Sequence, residues 1–201
     1  MTPRVVGDLG KLPAAGFRTH SLWGWATLGF MVIEGTGFAL AGASYVYLMN
    51  TGRRWPLEGK PPDLLWGTLM TGLLLASLVP NFIISRAARR SQVAQTQRWA
   101  VILFLFNAAA ILLRGFEFAH LNTRWDQDAY GSVTWALMVL HTTHLFTDFI
   151  GTCLLTVMLF THPVDQERLS DVDDDAVYWG FVVAAWIPIY LLVYWAPRWA
   201  P

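Results

Sequence analysis

The side chains best able to do chemistry lie between Arg114 and Asp148, in RGFEFAHLNTRWDQDAYGSVTWALMVLHTTHLFTD. Arg114 and Glu117 precede a short polar loop that carries Asp-Ala-Tyr-Gly-Ser at 128–132, and His141, His144 and Asp148 follow it. All five sit in otherwise apolar sequence. A charge placed mid-bilayer costs about 2.5–3.5 kcal/mol on insertion scales, so such groups face a partner or a cavity. Arg114 and Glu117 are three residues apart and share a helix face, which predicts an ion pair within one helix. The arginine could alternatively hold a lipid phosphate, for which its forked donors are suited. His120 occupies the next i+3 step, close to the membrane surface. His141, His144 and Asp148 form H-x-x-H-x-x-x-D, a spacing that puts all three on one side of a helix with Thr134 and Thr152 near the same stripe.

Two histidines on one helix could, with carboxylates from others, bind a metal or ligate haem. A di-iron bundle would repeat Glu-x-x-His on two helices, and that pattern is absent. A hydrogen-bonded interior network or a lipid site is the reading the residues favour. One further carboxylate, Glu34, is the single charge in its apolar block, beside Gly35, Ala39 and Ala43. That four-residue spacing of small residues predicts a close-packing face. Glu34 should therefore point into a bundle or a lipid cleft, either as a proton-active or headgroup-binding carboxylate or as a buried, hydrogen-bonded acid. No phosphate loop, Ser-His-Asp arrangement or nucleotide fingerprint is present, so catalysis by this chain alone is not expected.

Five apolar blocks position these groups: 22–49, 64–85, 99–121, 133–160 and 176–196. Each meets the roughly 20 helical residues that a bilayer core requires. Pro80 in the second block and Pro188 in the fifth predict kinks where a backbone hydrogen bond is lost. Tyr178, Tyr190 and Tyr194 are expected to pack. Between the blocks lie a Pro-rich loop with Pro56, Pro61 and Pro62, a basic loop with Arg86, Arg89, Arg90 and Arg98, a short polar loop, and an acidic loop, THPVDQERLSDVDDD. Short basic loops stay cytoplasmic. The four arginines thus place the N-terminus inside, with Arg4, Lys11 and Arg18, and the C-terminus outside. Arg53, Arg54 and Lys60 on the outer side run against that rule. Trp23, Trp25, Trp55, Trp66, Trp99, Trp125, Trp195 and Trp199 sit near block ends, where indoles favour the headgroup layer. The organisation expected is an N-terminal cytoplasmic arm (1–21), an all-α five-helix membrane bundle (22–197) and a C-terminal tail (198–201).

Composition supports this reading. Of 201 residues, 55% are hydrophobic and 14% charged, against roughly 25% charged in a soluble domain. The net charge of zero says nothing about nucleic acid, but the basic residues are scattered over loops and form no stripe, so no nucleic-acid partner is expected. The single cysteine, Cys153, excludes a disulfide framework and a thiolate metal site. The first 20 residues contain no apolar run of the kind a cleaved signal peptide needs.

Four segments in order resemble subunit III of the haem-copper oxidases, the cytochrome c oxidase subunit 3 family. Met31-Val32-Ile33-Glu34 with Tyr45-Val46-Tyr47-Leu48 is similar to the family's first core helix, with its membrane glutamate. Phe116-Glu117-Phe118-Ala119-His120-Leu121 resembles its Glu-Tyr-x-His segment. Tyr130-Gly131-Ser132 with His141 and His144 resembles its Gly-Ser start and paired histidines. Tyr178-Trp179-x-Phe181-Val182 resembles the start of its last helix. Order and spacing agree over about residues 22–197. The chain departs from the pattern at Thr142, where the family has glycine between the histidines, and at Gly180 and Val183, where it has histidine and aspartate. The seven-helix form of the family has two further helices before the first of these five.

The resemblance implies a non-catalytic subunit of a terminal oxidase, with no redox centre, haem or copper of its own. Haem and copper would sit in partner subunits: the catalytic subunit I, and subunit II. Cytochrome c or quinol would donate electrons to the complex, oxygen would be reduced, and protons would be pumped across a bacterial inner membrane. The family's third subunit is associated with bound phospholipid and with proton uptake by its neighbour. By position, Glu34, Glu117, His141 and His144 match the family's interior polar residues. The alternatives are an accessory protein of nitric oxide reduction, a stand-alone membrane haem or metal protein using His141 and His144, and a proton or ion carrier acting through Glu34, Glu117 and Asp148.

Overall fold

The computed structural model describes Pro13, Gly16, Phe17 and residues 21–52, 54–57 and 60–199. Arg4, Lys11, Arg18 and Arg53, on which part of the orientation expectation rests, lie outside the described residues. Among those described, every regular element is helical. The helices are α1 (Leu22–Thr51), α2 (Leu64–Arg89), α3 (Val93–Ala119), α4 (Ala129–Thr161) and α5 (Gln166–Tyr190). The last continues through a π-helical turn, Leu191–Trp195, into a final α-helical turn, Ala196–Trp199. All five are long and apolar enough to cross a membrane. Three begin at side-chain caps: Ser21 accepts from the Gly24 amide, Asp128 from that of Gly131 and Asp165 from that of Arg168. Each cap occupies one of the amide donors that a helix start leaves without an intrahelical partner.

Two connections are shorter than the apolar blocks suggest. Arg86 and Arg89 belong to α2 and Arg98 to α3, so the basic loop reduces to a turn at 90–92, with Ser91 in the left-handed region at φ 54°. The acidic loop is mostly the first turns of α5, from Gln166 onward. The reason is the same in both places. Apolar blocks mark the hydrocarbon layer, whereas Arg, Ala, Gln, Glu and Leu are good helix formers and carry the helix on into the headgroup region. Pro80 and Pro188 both lie inside their helices. The π turn begins three residues after Pro188, at Leu191.

Helices α2, α3, α4 and α5 pack in a ring, each against the next, and α1 lies outside on the seam between α4 and α5. Lipid tails are as apolar as leucine, so such a bundle is held by close packing and hydrogen bonds rather than by expulsion of water. Trp179 and Trp186, both buried on α5, donate to Ser77 Oγ (2.9 Å) and Thr71 Oγ1 (2.8 Å) on α2. Asn81 of α2 donates to the Ala176 carbonyl at 2.8 Å. Asp173, fully buried, accepts from Arg89 Nε and Nη2 and from Ser85, tying the basic end of α2 to the acidic start of α5.

Helix α1 departs from its expected packing. Ala39 and Ala43 are exposed, and the face against the bundle carries Glu34, Phe38, Ala41, Gly42 and Tyr45 instead. Of the small-residue stripe, Gly35 still faces the bundle against Phe181, while Ala39 and Ala43 turn outward beside the exposed Leu40. Trp23, Trp25, Trp125 and Trp199 are exposed near helix ends. Trp55 is not: it is buried edge-on between Tyr45 and Tyr130 and donates to Tyr45 Oη.

Candidate functional site: three polar clusters in the bundle

The stripe Thr134, His141, His144, Asp148 and Thr152 is buried along one side of α4. Apart from Thr134, its members divide among three clusters, each completed by different helices.

The first cluster centres on Arg114. One guanidinium nitrogen donates to Glu117 Oε2 at 2.7 Å, the other lies 2.9 Å from His141 Nδ1, and the group stacks 4.4 Å from the Trp186 ring. Arginine has no acceptor, so His141 Nδ1 must accept. His141 Nε2 faces the Val182 carbonyl at 3.1 Å and therefore carries the proton. The second oxygen of Glu117 accepts from Tyr194 Oη at 2.5 Å. An ion pair, a cation–π contact and a fixed histidine tautomer together compensate a charge that is only 2% exposed. Tyr194 reaches Glu117 because it lies in the π turn, the kind of helix irregularity that often accompanies functional sites. Arg198 clamps that turn by donating to the Tyr194 and Pro62 carbonyls. Gly67 makes room for the ring, since a Cβ there would lie 2.4 Å from Tyr194 Cζ.

The second cluster joins α1 to the bundle. Glu34 Oε1 lies 3.0 Å from His144 Nε2, and Glu34 Oε2 accepts from Tyr178 Oη at 2.9 Å. His144 Nδ1 faces the Leu140 carbonyl at 2.6 Å, so it carries a proton. One more proton must then lie between Nε2 and Oε1. The pair is either imidazolium–carboxylate or imidazole–carboxylic acid, and neutral overall in both forms.

The third cluster combines Asn107 of α3 with Asp148 and Thr152 of α4 and Asp175 of α5. Asn107 Nδ2 donates to Asp148 Oδ2 (3.0 Å) and Thr152 Oγ1 (3.2 Å). Thr152 Oγ1 lies 3.1 Å from Asp175 Oδ2 and 3.4 Å from Asp148 Oδ2. Asp175 also lines a cleft of about 530 Å³ beside α1, with Trp23, Phe30 and Leu155 as apolar walls and Asp171, Asp174 and Tyr178 as polar ones.

His120 joins none of these clusters. It caps α3, half-buried, with Nδ1 2.7 Å from the Phe116 carbonyl and its ring against Trp66. Tyr178 and Tyr194, expected only to pack, make the key contacts to both glutamates, because a hydroxyl inside an apolar bundle needs a partner. That rule could have found them, and it applies equally to Asn107, the lone amide in the third apolar block. Asp175 carries no such signal, because the polar composition of 161–175 hides the start of α5 at Gln166. Among the described residues no group of three or more His, Cys, Asp and Glu side chains is placed to hold a metal.

Fold and clusters define a multi-pass helical membrane protein with ionisable groups paired inside its bundle. No protein-family model matches the chain. The resemblance to oxidase subunit III is borne out by curated relatives. The chain is 26% identical over 148 residues to "Probable cytochrome c oxidase subunit 3" of Mycobacterium tuberculosis, covering 72% of this chain and 73% of the relative. It is 23% identical over 172 residues to "Cytochrome c oxidase subunit 3" of Thermostichus vulcanus, covering 82% and 83%. To "Probable quinol oxidase subunit 3" of Staphylococcus aureus it is 22% identical over 174 residues, covering 83% and 87%.

Proposed function

We propose that the chain is a non-catalytic subunit III of a haem-copper terminal oxidase in a bacterial inner membrane. It packs beside catalytic subunit I, with subunit II, in a complex that takes electrons from cytochrome c or quinol, reduces oxygen and pumps protons. Its own contribution is to stabilise the catalytic subunit, to hold phospholipid and to support proton uptake. The observation that carries this reading is similarity to oxidase subunit 3 proteins along most of the chain, on a bundle of five helices. The engagement of both histidines also favours it over a stand-alone haem protein. His141 has both ring nitrogens bonded, to Arg114 and Val182, and so does His144, to Leu140 and Glu34. Each would have to break a contact to become an axial ligand. The apolar walls of the cleft beside α1, Trp23, Phe30 and Leu155, suit an acyl chain. The basic ends of α2 and α3 favour a cytoplasmic position for that side of the bundle, since short basic segments stay inside.

The test is purification through a tag on this chain in mild detergent. A haem spectrum and oxygen consumption should arrive with a large multi-span partner and leave with it when harsher detergent strips the partner away. Haem retained on the stripped chain would overturn the proposal, and so would a colourless chain purified alone.

A further inference from the structure

The third cluster leaves two buried acceptors without a donor. Asn107 is 1% exposed and Asp148 3% exposed. Both amide hydrogens of Asn107 are used, on Asp148 Oδ2 and Thr152 Oγ1. The single hydroxyl proton of Thr152 goes to its nearer carboxylate oxygen, Asp175 Oδ2. Asp148 Oδ1 and Asn107 Oδ1 remain, each fully enclosed and each without a hydrogen-bond partner. Flipping the Asn107 amide would only set oxygen against oxygen at Asp148 Oδ2.

A single proton on Asp148 Oδ1 removes both orphans. A carboxylic acid and a primary amide form a cyclic pair with two hydrogen bonds, of which one, Asn107 Nδ2–H to Asp148 Oδ2, is present at 3.0 Å. The other would run from a protonated Asp148 Oδ1 to Asn107 Oδ1, the two oxygens left without partners. Charge leads to the same conclusion. Among the described residues no Lys, Arg or His pairs with Asp148 or Asp175. The ionisable groups on the neighbouring helices are already engaged. Glu34 of α1 faces His144 and Tyr178, and Arg114 of α3 faces Glu117 and His141. On α5, Asp175 and Tyr178 supply no positive charge. An unpaired carboxylate in this setting would be strongly disfavoured.

We infer that Asp148 is a proton-binding site, held as a carboxylic acid in a cyclic pair with Asn107 and loaded from the cleft through Asp175 and Thr152. In the loading step Asp175 gives a proton to Thr152 Oγ1 while Thr152 gives its own to Asp148 Oδ2, leaving the hydroxyl unchanged. A half-turn of the carboxyl then brings the proton to face Asn107 Oδ1. The site deepens the proton-uptake part of the proposed function and rests on it for its physiological purpose only. Its protonation can be tested whether or not an oxidase is attached.

The test is infrared spectroscopy of the full chain in lipid nanodiscs, with ¹³C-aspartate labelling to identify aspartic-acid carbonyl bands. At neutral pH the wild type should show one such band from an enclosed acid, lost in Asp148→Asn and shifted but retained in Asn107→Leu. After transfer to D₂O, exchange of that band should be slower in Thr152→Val and Asp175→Asn. Absence of the band from the wild type overturns the site, as does its persistence in Asp148→Asn. If Asp148→Asn fails to fold, the label-sensitive wild-type band and its shift in Asn107→Leu decide the same point. Unchanged exchange in both Thr152→Val and Asp175→Asn overturns the loading route.

Discussion

Replacing Gly67 by alanine should destabilise the bundle, although alanine is the better helix former by about 0.8–1.0 kcal/mol. The added Cβ would meet Tyr194 at 2.4, 2.6 and 2.7 Å, inside the 3.0 Å that real Cβ contacts respect. Tyr194 has little room to yield. Its ring is 1% exposed, its hydroxyl is bound to Glu117 at 2.5 Å, and its carbonyl is held by Arg198. Overpacking costs roughly 1–3 kcal/mol, and a weakened hydrogen bond to a charged group roughly 1.5–3. Set against the gain in propensity, the expected net loss is about 1.5–5 kcal/mol. Unfolding in detergent micelles, followed by circular dichroism and by the fluorescence of buried Trp179 and Trp186, measures it. Tyr194→Phe removes the hydrogen bond while leaving the ring, so a double-mutant cycle separates the two contributions. In the phenylalanine background Gly67→Ala should cost less, because the bond to Glu117 is already gone. A single-mutant cost below about 0.5 kcal/mol, the range of a neutral surface change, would refute this reasoning. Strict additivity would refute its hydrogen-bond component.

Arg114→Met leaves Glu117 buried without its cation and should cost about 3–5 kcal/mol in the same assay, as expected for half of a buried ion pair. Arg114→Lys should recover only part of that loss, because one ammonium cannot serve Glu117, His141 and the Trp186 face together. Glu34→Gln weakens the polar tie from α1 to α4 and α5, so amide exchange in α1 should rise while that in α2 and α3 stays at the wild-type level. In the α3–α4 loop, the side-chain hydrogen bonds from Arg124 hold the Asp126 carboxyl below its ordinary range and hold the Arg124 guanidinium above its own. The depressed carboxyl value means that the contact persists above the ordinary carboxylate range and is lost as pH falls through the depressed value. An NMR titration should show the Asp126 midpoint moving upward in Arg124→Gln, and no movement would contradict the contact.

Much of the architecture was legible in the sequence for one reason: a bilayer demands about 20 apolar helical residues per crossing, and five such blocks are present. The Arg114–Glu117 pair was legible as well, because i, i+3 spacing on a helix already brings two side chains together. Helix ends were harder to read. Hydropathy reports where the lipid stops, not where the backbone hydrogen bonds stop, and so the basic and acidic loops turned out to be largely helix. The small residues at 39 and 43 misled in a similar way. Their spacing defines a face of α1 but not the direction in which that face looks.

The sequence by itself determined the class of protein, the count of spans and the alignment of His141, His144 and Asp148 along one side of α4. These depend on local periodicity and on the solvent. Only the tertiary structure decided how that side is divided. His141 meets Arg114 from α3 and the backbone of α5, His144 meets Glu34 from α1, and Asp148 meets Asn107 from α3 and, through Thr152, Asp175 from α5. Such partners lie 23 or more residues apart in the chain. Their pairing follows from how the helices are arranged around one another, and helical periodicity carries no record of that arrangement.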